Sequence, residues 1–163
     1  MQESELLVTT AQVAVGLAGF SGVAGVLGER RGSTASAVQG ALLRNMIETS
    51  LSAAGFSLLP IVLSHIGFAS EVVWRLAAGI NLVAFVAQLG LTVRRGMRII
   101  AASGGSVPRA WVAFVFAFAT FIVVSLAVST LGFSSAPLYV GALFLQLVLS
   151  GSMFVRFFAL LTS

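Results

Sequence analysis

Residues 110–131 read AWVAFVFAFATFIVVSLAVSTL, twenty-two positions without a charge and without any polar side chain beyond Trp111 before Thr120. An α-helix rises about 1.5 Å per residue, so about 20 apolar residues cross the roughly 30 Å of hydrocarbon in a bilayer. This stretch meets that length with none to spare for a buried soluble helix. Working outward finds four more apolar stretches of similar length, at 6–28, 42–68, 72–93 and 138–161, with Arg44, Glu48, Arg75 and Arg156 toward their ends. The expectation is an all-α, polytopic transmembrane helix bundle of five spans forming a single domain over 1–163. A four-span alternative stays open, in which the first segment lies re-entrant or in the interface, because its Gly and Ala content weakens its hydropathy.

Composition supports this reading. Soluble domains carry about a quarter charged residues; here 9% are charged, 58% are hydrophobic and the mean hydropathy is +1.07. The fourteen charges are nine Arg and five Glu, and most stand at the ends of apolar runs. A net charge of +4 does not point to nucleic acid, because duplex binding needs a clustered basic face and these arginines are scattered between hydrophobic segments. With no cysteine and one histidine, neither thiol chemistry nor a Cys- or His-based metal site is expected. No cofactor is expected either. The opening Met-Gln-Glu-Ser-Glu lacks the positive n-region of a signal peptide, so the first apolar run is read as a retained span.

The segments between spans two and three and between four and five are short and imply antiparallel hairpins. The other two connections, at 29–39 and 94–109, are polar and arginine-bearing and should share one side. If that side is cytoplasmic, eight of nine arginines lie inside and only Arg75 lies outside. The amino terminus is then outside and the carboxy terminus cytoplasmic.

Polar residues inside the spans are the candidate functional positions, since ionisable groups in a membrane segment are costly and keep company with protein or water. On the second span Arg44 and Glu48 are four apart, and Asn45, Thr49, Ser52 and Gly55 continue the same face. That face is either a structural ion pair near the inner interface or the vestibule of a pathway. On the third span Asn81, Gln88 and Arg95 recur every seven residues, on one side with Trp74, Ala78 and Thr92. Gln146 near the middle of the fifth span, Ser150 one turn beyond it, and Gln12 with Thr9 on the first complete a set of neutral groups. These either line a path or clamp helices together. Phe114, Phe116, Phe118 and Phe121 on the fourth span are expected to face lipid, with Trp111 at headgroup level. Pro60 removes a backbone hydrogen bond from the second span and should kink it. His65 sits at the outer end of that span as an amphipathic residue.

The first span carries Gly16, Gly19, Gly22, Gly25 and Gly28 at every third position. A three-residue repeat drifts around a 3.6-residue helix, so these glycines are expected to give close helix packing on several sides.

Residues 11–23, AQVAVGLAGFSGV, and 43–50, LRNMIETS, resemble a pattern in small, uncharacterised bacterial membrane proteins. The resemblance covers the first two spans and implies a bacterial inner-membrane location. It implies no activity and no functional residue.

Catalysis is the least favoured function, because acid/base or nucleophilic chemistry needs positioned partners, and the chain has no Asp, no Cys, one His and Glu48 as the one carboxylate inside a span. Five spans without an internal repeat do not make the usual two-halved transporter. The remaining expectation is a protein held in the lipid bilayer and self-associating into a homo-oligomer, as a channel for a small ion or solute. Its alternative is a non-transporting scaffold or accessory subunit that docks on another membrane protein.

Overall fold

The computed structural model describes residues 2–29, 36–103, 109–132 and 135–162, and the side-chain surroundings of 4–23, 39–98, 109–132 and 136–159. Every element described is helical: α1 (Gln2–Glu29), α2 (Ser36–His65), α3 (Ser70–Ser103), α4 (Arg109–Thr130) and α5 (Ser135–Thr162). All five are long and apolar enough to cross a membrane. Most of their ends overrun the expected spans, although α2 stops at His65, short of the expected 68, and α4 at Thr130. The helix α3 continues through Arg94, Arg95 and Arg98 to Ser103, and α2 begins at Ser36, six residues before the expected start. Counting charge-free residues marks where hydrocarbon ends. Arginine is a good helix former and carries its charge to water on a long stem, so it ends the span without ending the helix.

Helices α2, α3, α4 and α5 form a ring in which each packs against the next and α5 closes onto α2. The diagonal pair α3 and α5 also touch, so α5 reaches every other helix. Among the described residues α1 packs only against α2 and α5, and is appended to the outside of the ring. The core joins Met46, Trp74, Ala77, Ala78, Phe85, Ile122, Leu126, Tyr139 and Leu143. A smaller cluster of Ala14, Ala53, Ala54 and Leu147 seats α1. Alanines on both sides of that contact let backbones approach closely, which is how helices gain van der Waals energy where lipid supplies no hydrophobic drive.

Two hairpin turns are fixed by glycines with positive φ. Gly67 (φ 95°) follows α2 and Gly132 (φ 90°) follows α4, and each donates its N–H to a carbonyl three residues back, Ser64 and Ser129 respectively. Both are positions where a Cβ costs free energy. They differ in surroundings. A Cβ at Gly67 meets open space, whereas one at Gly132 would lie 2.6–2.8 Å from the Arg75 guanidinium. Arg75 is also 3.5 Å from Glu71, one turn earlier on α3. Alanine at either glycine should cost on the order of 1 kcal/mol from the backbone alone. Gly132→Ala should cost more than Gly67→Ala, because Arg75 must also move. Thermal unfolding of the two variants side by side checks the ranking, and equal midpoints would remove Arg75 from the account.

The fourth helix divides its aromatics. Phe116 and Phe121 are exposed, as expected of lipid-facing residues. Phe114 and Phe118 are instead half-buried, with ring centroids 4.5 Å apart, and Trp111 stacks on Phe114 at 5.8 Å. Positions 111, 114 and 118 share a helical face, so the row turns toward α5, where the Arg156 guanidinium lies 4.6 Å above the Trp111 ring.

Candidate functional site

The polar face expected on α2 packs along α3, and the two helices are joined by a ladder of side-chain bonds. At one end Glu48 accepts from Arg44 Nε at 2.7 Å and from Arg95 Nη1 at 2.9 and 3.1 Å, through both carboxylate oxygens. Next, Thr92 donates to Asn45 Oδ1 at 3.3 Å. Gln88 Nε2 donates to Thr49 at 3.0 Å, while Ser52 donates to Gln88 Oε1 at 3.3 Å. Seven residues further along α3, Asn81 Oδ1 accepts from Gln146 Nε2 on α5 at 3.2 Å. The stripe of Asn81, Gln88 and Arg95 thus serves two neighbours: Gln88 and Arg95 hold α2, and Asn81 holds α5.

A second set of bonds ties α2 to α5. Ser50 and Ser150 share a hydrogen bond of 2.7 Å, and Ser150 reaches the Met46 carbonyl at 3.1 Å. Tyr139, fully buried, donates to the Phe56 carbonyl at 2.6 Å. That carbonyl is the one left without an intrahelical partner by Pro60, four residues later, which has no N–H to give. Trp74 closes the other side of Tyr139 as an edge contact at 5.8 Å.

Burial separates the two ends of the ladder. Asn81 and Gln146 are each 1% exposed, and Asn81 Nδ2 has no partner. The Asn81–Gln146 amide bond is thus closed off from the surface of the bundle and joins α3 to α5. At the charged end, the side chains of Glu48 and Arg95 are 32% and 30% exposed and that of Arg44 is 64%. One carboxylate is therefore shared by two guanidinium groups within reach of water. Among the described residues no three His, Asp or Glu approach closely enough to hold a metal ion.

Among the described residues two surface clefts stand out. One, about 280 Å³, lies at the end of the bundle opposite Glu48 and includes Leu7, Pro60, Ile61, Phe68 and Trp74 in its wall. The other, about 450 Å³, is a shallow groove over Gly55 between Leu51, Leu59 and Ile80. His65 Nδ1 donates to the Ile61 carbonyl at 2.8 Å, a local bond on the same helix.

The first helix departs from expectation. Gly16, Gly19 and Gly22 are exposed, and a Cβ added at any of them has no atom within 4 Å. The surroundings of Gly25 lie outside the described residues. The helix is held instead by Leu7, Ala11, Ala14 and Ser21, all buried. The three-residue repeat was expected to place neighbours on several sides. Among the described residues only one side is covered, because α1 stands outside the ring and meets two helices. Gln12 and Thr9 are likewise exposed and join no polar set.

Sequence reading did not find Tyr139, Ser50 or the part Arg95 plays as a ligand of Glu48. Arg95 was signalled by its seven-residue spacing from Gln88. Tyr139 had a weaker signal in Pro60, which announces an orphaned carbonyl but not its donor.

The fold defines a class: an all-helical chain whose five helices can each cross a membrane, with polar side chains spent on joining α2, α3 and α5. No family model, curated protein or solved structure matches the chain.

Proposed function

We propose that this chain is a multi-pass protein of the bacterial inner membrane, amino terminus outside, that self-associates as a non-transporting scaffold or accessory subunit. The observation that carries the reading is the face of α1: Gly16, Gly19 and Gly22 stand exposed beside Val15, Phe20 and Val23, with open space above each glycine. Glycines gain nothing against acyl chains, but they permit close backbone approach by another helix. The scaffold reading is supported over transport because Asn45, Thr49, Ser52, Asn81, Gln88 and Gln146 all bond to one another or to Thr92 across helices.

A homo-oligomeric channel is the second reading. It is favoured by the half-exposed cluster of Arg44, Glu48 and Arg95, which can stand at the mouth of a path formed between copies. Arginine there favours anions.

The distinguishing variant is Gly19→Leu with Gly22→Leu. Open space at both positions means the protomer should fold with little change in its unfolding midpoint, while the oligomer dissociates in crosslinking and in light scattering from detergent micelles. An intact oligomer in the double variant would count against α1 as the contact face. Protein-dependent flux of any small ion from liposomes would decide for the channel.

A further inference from the structure

We propose that Arg94 and Arg98 form a binding position for the head group of an anionic phospholipid on the bilayer-facing side of α3. The placement follows from helical geometry. Ala87, Leu91, Arg94 and Arg98 share one face of α3, since steps of three and four residues return to the same side. All four are exposed, and Val83 and Val86 continue the exposed apolar wall beside them. The apolar span runs over Ser70–Arg98. Its length, about 40 Å at 1.5 Å per residue, exceeds the roughly 30 Å of hydrocarbon, so its last turn reaches the headgroup layer. Arg94 and Arg98 are therefore at the depth of lipid phosphates, below a wall that takes acyl chains.

Charge selects the lipid. Arg95, between the two in sequence, lies about 100° around the helix from Arg94, and its guanidinium is committed to Glu48, as is that of Arg44. At this end of the bundle Glu48 is already held by Arg44 and Arg95, and Glu29 ends α1, a helix that packs against α2 and α5 and not against α3; Glu5, on the first turns of α1, and Glu71, which begins α3, are both at the far end. Arg94 and Arg98 have no bonded partner among the described residues, and like charges four apart on a helix repel unless an anion bridges them. A phosphate placed between two guanidinium forks accepts hydrogen bonds from both. A zwitterionic head group brings the same phosphate with an ammonium group that Arg44 and Arg95 would repel. The position does not depend on which side of the membrane this end occupies.

The test uses the full chain purified in neutral detergent, with its unfolding midpoint followed as phosphatidylglycerol, phosphatidylcholine or inorganic phosphate is added. Phosphatidylglycerol should raise the midpoint by several degrees and saturate, with phosphatidylcholine and inorganic phosphate giving much smaller shifts. Arg94→Gln with Arg98→Gln should reduce the phosphatidylglycerol shift to that of phosphatidylcholine, and the paired Lys variants should keep most of it. Arg75→Gln, at the far end, should keep all of it relative to its own lipid-free midpoint. A full shift in the double Gln variant overturns the proposal. So does an equal shift with phosphatidylcholine, or one with inorganic phosphate, which would make this a site for a free anion. If the double Gln variant does not fold, native mass spectrometry of Arg94→Gln and Arg98→Gln separately decides: each must retain fewer phosphatidylglycerol molecules than the unaltered protein.

Discussion

Replacing Tyr139 with Phe should destabilise the protein by about 2 kcal/mol, the cost of leaving a buried acceptor without its donor. The argument starts at Pro60. Every other residue in the middle of α2 can give an N–H to the carbonyl four before it, but Pro60 cannot, and the carbonyl of Phe56 is released. In a span, water cannot satisfy it. Tyr139 does so at 2.6 Å from α5, with its ring fully buried against Trp74. The phenylalanine ring fills the same space, so packing is preserved and the loss reports the hydrogen bond alone. The companion variant is Pro60→Ala, which returns an N–H to the helix. In the background of Pro60→Ala, Tyr139→Phe should lose much less stability, because the carbonyl then has an intrahelical donor. The difference between the two losses is a coupling free energy and should be at least about 1 kcal/mol. It is read from unfolding by denaturant in mixed micelles. Equal losses in both backgrounds would mean that the Phe56 carbonyl does not need Tyr139.

How far such features can be read from sequence depends on how far apart the partners lie in the chain. The five helices follow from apolar length alone. The Arg44–Glu48 pair follows from a four-residue spacing, and the side of α3 bearing Asn81, Gln88 and Arg95 from a seven-residue one. Short connection then makes α2 and α3 neighbours, so a polar face on each is enough to expect them to meet. Nothing of that kind identifies Tyr139 as the donor to Phe56, or Ser150 as the partner of Ser50. Those contacts span 83 and 100 residues and depend on α5 closing the ring onto α2. The same missing information misplaced α1. Glycine spacing describes the helix surface, but which side of that surface is covered depends on where the helix docks. Helix ends were short for a different reason, because hydropathy measures the membrane and the backbone does not stop at its edge.

Glu48→Gln should cost about 1.5 kcal/mol, the lower end of the range for hydrogen bonds to charged groups, because a third of the side chain remains open to water and its charge is partly screened. The amide keeps one acceptor oxygen but removes the negative charge that two guanidinium groups share. Arg95 supplies most of the effect: it contacts both carboxylate oxygens from another helix, with its side chain 30% exposed. Arg44 is 64% exposed on the same helix as Glu48, and its order, Arg before Glu, is the weaker one for a pair four residues apart. Arg95→Gln should therefore destabilise more than Arg44→Gln. Combining Glu48→Gln with Arg95→Gln should restore part of the loss, since no isolated charge then stands at the helix contact. Raising salt should narrow the gap between Glu48→Gln and the unaltered protein without closing it. The same variant separates the two functional readings. As a clamp between α2 and α3, Glu48 changes stability and leaves liposome permeability untouched. As the mouth of a path between copies, it changes ion selectivity in an assembly that stays intact. A Glu48→Gln protein with unaltered stability and altered flux would overturn the structural account of this carboxylate.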